Sequence, residues 1–115
     1  MPSKWHRATY ALLAAGAAEA ATGFANDLAL LSVILGLATV AVGVITLRRG
    51  ARFEGLTWAV AAVGASLAFR AFVYQAAPWV VALVAASGAL YLATLVLAYA
   101  AWRAEVQERF GARRA

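Results

Sequence analysis

The chain contains no cysteine, which excludes disulfides, zinc–thiolate sites and iron–sulfur clusters. It has a single histidine, His6, so a bis-histidine haem within one chain is excluded as well. Charge is scarce. Only 13% of the residues are Asp, Glu, Lys or Arg, against roughly 25% in an average soluble domain. Ten basic and five acidic side chains cannot cover the surface that a domain of 115 residues presents to water. No phosphate-cradling glycine loop, metal-ligand cluster or nucleophile constellation is visible. These absences argue against an enzyme and imply neither a cofactor nor a metal.

What the chain does have is apolar: 65% of it is hydrophobic, which rules out disorder. Leu28 to Leu47 is an uncharged run of 20 residues, and Ala71 to Trp102 is one of 32. About 20 apolar residues cross a ~30 Å hydrocarbon core as a helix, so the second run exceeds one span. Pro78 divides it, because proline suits a first helical turn and disfavours helix in the residue before it. The expected architecture is all-α. It is an integral membrane four-helix bundle with spans at 8–25, 27–47, 55–76 and 78–102, followed by a short polar helical tail in which Glu105 and Arg109 face each other at i,i+4. Asn26 and Asp27 supply the cap and first turn of span two. Every connection is short, so sequential helices are antiparallel neighbours and 1–115 forms one domain. A signal peptide is the alternative for the first span, with Lys4, His6 and Arg7 as its charged start and Ala18-Glu19-Ala20 as its cleavage site.

Nine of the ten basic residues fall on one side of this topology. Lys4 and Arg7 precede span one, Arg48, Arg49 and Arg52 fill the central loop, and Arg103, Arg109, Arg113 and Arg114 follow span four. The positive-inside rule then puts both termini in the cytoplasm of a multi-pass plasma-membrane protein. A prokaryotic plasma membrane is expected, and the Ala- and Arg-rich composition suggests a GC-rich genome. Trp5, Tyr10, Trp58, Tyr99 and Trp102 fall near the inner interface; Phe24, Tyr74 and Trp79 fall near the outer one. The net charge of +5 is explained by topology and anionic headgroups rather than by nucleic acid, since no aromatic–basic alternation accompanies it.

In lipid, small residues mark close helix contacts. Span two carries Ser32, Gly36, Thr39, Gly43 and Thr46 in a 3–4 rhythm. Span three carries Thr57, Ala61, Gly64, Ala68, Ala71 and Gln75. Span one offers Thr9, Leu12, Gly16, Glu19, Gly23 and Asn26, and span four Ser87, Tyr91, Thr94 and Ala98. Such a rhythm is the seam of a left-handed bundle. The chain holds 32 alanines, so the stripe of Ser, Thr and Gly among Leu, Val and Ile in span two is the most informative.

Two charges fall inside the spans. Glu19 lies six residues before the outer end of span one and Arg70 six before that of span three, so both sit about 9 Å below the outer boundary. A charge in hydrocarbon costs several kcal/mol unless paired, hydrated or neutralised. At equal depth the two can pair between helices. They then either fix the bundle or line a polar site for a proton, cation or small solute, with Tyr74, Asn26 and Asp27 as further candidate binding groups. Four short spans and a glutamate within Ala18-Glu19-Ala20 resemble, in outline, the small multidrug resistance transporters. The aromatic and glycine pattern of that family's third span is not evident here, and the charge bias differs from its dual-topology members. Four helices alone enclose little space, so a homo-oligomer or other membrane subunits are expected beside the lipid bilayer. The expected function is binding or permeation of a small solute or ion near Glu19 and Arg70. The alternative is a non-catalytic accessory or scaffold subunit.

Overall fold

The computed structural model describes residues 4–25, 30–67 and 78–114. Among these the chain is entirely helical, with four helices and no strand. They are α1 (Lys4–Ala25), α2 (Leu30–Arg48), α3 (Gly55–Ser66) and α4 (Pro78–Arg114). α1 packs along both α2 and α4, and α3 packs against α4 and α2. Side-chain pairs give the directions. Glu19 meets Ser87 and Trp5 meets Glu105, so α1 and α4 run antiparallel. Gly16 lies beside Gly36 while Gly43 lies beside Leu13, so α1 and α2 do too. The start of α1, the α2–α3 loop and the C-terminal third of α4 therefore share one end of the bundle.

α2 and the stretch Pro78–Phe110 of α4 are each long and apolar enough to cross a membrane. Small apolar residues with Leu12, Phe53, Val80 and Val84 share the interior with buried hydroxyls and Glu19, while many long aliphatic side chains lie outside. Leu30, Leu31, Ile34, Leu37, Leu92 and Val96 are exposed, with Leu31 83% open. The buried positions of α2 are Ser32, Gly36, Thr39, Gly43 and Thr46, and those of α3 are Thr57, Ala61 and Gly64. In α4 the buried set includes Ser87, Tyr91, Thr94 and Ala98. Small and hydroxylated side chains let helices approach closely. Their hydroxyls stay satisfied by bonding back one turn, as Thr22 Oγ1 does to the Ala18 carbonyl at 2.9 Å and Thr94 Oγ1 to that of Leu90 at 2.7 Å.

The helix bounds differ from the sequence expectation in two places, the start of α1 and the end of α3. α1 begins at Lys4, one turn before residue 8. The polar tail continues span four, as expected: α4 runs unbroken through 37 residues, about 55 Å at 1.5 Å each, and accounts for the 57 Å length of the molecule. α3 closes at Ser66 with Leu67 as its C-cap, where a helix over 55–76 is expected. The Leu67 amide is shared between the Val63 and Gly64 carbonyls at 3.3 and 3.2 Å, and Ser66 Oγ donates to the Val63 carbonyl at 2.8 Å. These tightened bonds compete with the regular helical ladder. The rest of the third span lies outside the described residues.

The central loop starts from a paired C-terminal cap on α2. The Ala51 amide bonds to the Thr46 carbonyl at 2.8 Å and the Gly50 amide to that of Leu47 at 3.3 Å. Gly50 has φ +100°, the left-handed conformation such a cap requires, and Ala51 follows at φ 69°. Thr9 Oγ1 anchors this turn by donating to the Ala51 carbonyl at 3.0 Å.

Candidate functional site

The centre of the bundle is built from the helices' polar stripes. Glu19 is completely buried, and Ser87 Oγ donates to its Oε2 at 2.9 Å across the α1–α4 contact. One turn earlier on α1, Gly16 lets α2 come close. A Cβ on Gly36 would lie 2.6 Å from the Gly16 carbonyl oxygen and 2.7 Å from Ala20 Cα, so backbone faces backbone at this crossing. Gly23 is also buried on the face that carries Glu19.

One turn along α4 from Ser87, Tyr91 is wholly buried and its ring fills the space beside Gly64. Its hydroxyl meets Thr39 Oγ1 at 2.7 Å. Thr39 Oγ1 also donates to the Leu35 carbonyl at 2.7 Å, so Tyr91 is the donor between the two hydroxyls when both bonds form. Nearer the loop, Thr46 and Thr57 join at 2.8 Å between α2 and α3. Among the described residues, every buried side-chain nitrogen and oxygen has a hydrogen-bond partner. The satisfied polar seam therefore contains Glu19–Ser87, Tyr91–Thr39 and Thr46–Thr57, touching all four helices. In a low-dielectric interior such contacts set which helices meet, because leaving any of them unmade costs about 1–3 kcal/mol.

Of the sequence-derived binding candidates, the structure describes Glu19. Asn26, Asp27, Arg70 and Tyr74 lie outside the described residues, and so does any contact between Glu19 and Arg70. The packing candidates Gly16, Gly23, Ser32, Gly36, Thr39, Gly43 and Gly64 are all buried. No group of three or more His, Asp or Glu side chains suited to a metal occurs among the described residues.

A second constellation, at the loop end, was not read from the sequence. Phe53, only 5% exposed, packs against Trp5 with ring centroids 5.6 Å apart and against Trp58 at 5.4 Å. Beside this cluster, Glu105 accepts from Trp5 Nε1 at 3.2 Å, pairs with Arg52 at 2.9 Å and pairs with Arg109 at 3.1 Å. One carboxylate thus ties α4 to α1 and to the central loop. The signal available beforehand was Phe53 itself, the one aromatic residue in a loop otherwise made of Arg, Gly, Ala and Glu. Comparison with protein-family models, curated proteins and solved structures finds no match for this chain.

Proposed function

We propose that this is a four-span integral membrane protein that binds a proton or small cation at Glu19 and passes it on as part of an oligomer. Both chain ends face the cytoplasm. The observation that carries the reading is a fully buried Glu19 carboxyl held by Ser87 inside a bundle whose outer surface is aliphatic. A carboxyl group in that setting requires a compensating proton, cation or basic side chain. Arg70 is the basic group that the sequence places at the same depth. Exchange of the Glu19 charge between Arg70 and an entering cation is the step the site is suited to. Tyr91 and Thr39, one turn away, extend the polar lining.

Purified protein in liposomes carrying an internal pH-sensitive dye tests this. The wild type is expected to speed collapse of an imposed pH gradient, and Glu19→Gln to abolish that flux while the oligomer stays intact. Unchanged flux with impaired assembly would overturn the reading in favour of the second one, a non-catalytic accessory or scaffold subunit. One feature favours that second reading: Glu19 lines neither of the two clefts described, both of which lie at the loop end.

A further inference from the structure

The cleft between the end of α2 and the start of α3 combines three features that the Glu19 site does not use. Its inner wall carries the Thr46 and Thr57 hydroxyls, each more than nine-tenths buried. Its outer wall is Ile45 and Leu56, which are 50% and 65% exposed. Its rim holds Arg49, Arg52 and Glu54. The enclosed space is about 50 Å³, so it accepts one compact polar group and leaves anything attached to that group outside, along Ile45 and Leu56.

The charge balance selects an anion. Arg49 and Glu54 meet at only 3.4 Å with both side chains about two-thirds exposed, a pairing that water and salt weaken readily. Arg52 is held by Glu105, but that carboxylate is shared with Arg109. Two guanidinium groups facing one carboxylate leave positive charge over. The negative end of α2 does not oppose an anion strongly, because the Ile45, Thr46 and Leu47 carbonyls already accept from the loop amides. At the first turn of α3 the Glu54 carboxylate already caps the Thr57 amide in a capping box, so the helix end adds little and an anion's binding falls to the guanidinium groups.

We infer that this cleft binds the phosphate of an anionic phospholipid from the cytoplasmic leaflet, with Arg49 and Arg52 on the phosphate and Ile45 and Leu56 along the first segment of acyl chain. A free anion would use the basic rim alone and would have no use for the apolar wall beside it. The inference rests on the membrane reading proposed above. It is independent of what Glu19 does.

The test uses the full chain in phosphatidylcholine bilayers containing spin-labelled phosphatidylglycerol, with flotation first showing insertion. The wild type is expected to hold the anionic label several-fold over labelled phosphatidylcholine. The double substitution Arg49→Gln/Arg52→Gln should abolish that preference, and Arg49→Gln alone, which leaves the Arg52–Glu105 contact in place, should at least halve it. Arg7→Gln/Arg103→Gln removes the same charge without touching Glu105, and should keep the preference. Equal loss in that control, no preference in the wild type, or displacement of the label by inorganic phosphate at matched ionic strength would each overturn the lipid site. A chain that fails to float with the bilayers overturns the membrane reading itself, before any lipid is measured.

Discussion

The middle of the bundle and its loop end are held together by different physics. In the middle, α1 and α2 touch backbone to backbone at Gly16 and Gly36, and the larger groups present are buried and hydrogen-bonded. At the loop end the contacts are made by large rings and by ion pairs open to solvent. There Phe53, Trp5 and Trp58 pack in tilted and edge-on contacts beside the Arg52–Glu105–Arg109 cluster. The first region is short-range and steric. The second is adaptable and sensitive to salt. A chain whose central contacts leave no slack can tolerate looser joints at one end, because the crossing of α1 on α2 already determines where the ends arrive.

Substitution at the crossing is the strongest way to break this contrast. Gly36→Leu would drive a side chain into the Ala20 backbone and the Gly16 carbonyl, neither of which can rotate away. A loss of about 3 kcal/mol is expected, read as a large drop in thermal midpoint or as failure to fold. If the variant unfolds at the wild-type temperature, the helices are not in backbone contact.

A smaller effect is expected one turn away. Tyr91→Phe keeps the ring beside Gly64 and deletes only the hydroxyl bonded to Thr39. The expected cost is ~1 kcal/mol, and it should be the same at low and high salt because the bond is buried. A matching double-substitution cycle with Thr39→Val measures the coupling between the two directly.

The weakest effect belongs to the loop end. Glu105→Gln removes two ion pairs but leaves an acceptor for Trp5 Nε1. Its cost should be under about 1 kcal/mol at low ionic strength and should vanish in high salt. A salt-independent loss here, or a salt-dependent one in Tyr91→Phe, would erase the distinction between the two regions.

Much of the middle region can be read from residue spacing. The 3–4 rhythm of Ser32, Gly36, Thr39, Gly43 and Thr46 marks the face of α2 that the structure buries, and Pro78 marks the start of α4. The loop end is less legible. Trp5 is far in sequence from Phe53 and Trp58, the three lie on no common period, and the two tryptophans read individually as interface aromatics. Glu105 reads as a local partner of Arg109, and its longer-range ties to Arg52 and Trp5 have no sequence signature.

By itself the sequence determines the class of structure and the inward face of each helix. Hydrophobic run length and side-chain period are properties of one segment at a time, and they hold whatever the neighbours do. Which inward residues meet was decided only by tertiary structure. The rotation and axial slide of four helices set Ser87 rather than Thr94 against Glu19, Tyr91 against Gly64, and Arg52 against Glu105. Those two rigid-body freedoms are settled by steric fit between whole faces, most tightly where glycine removes the side chain and two backbones touch.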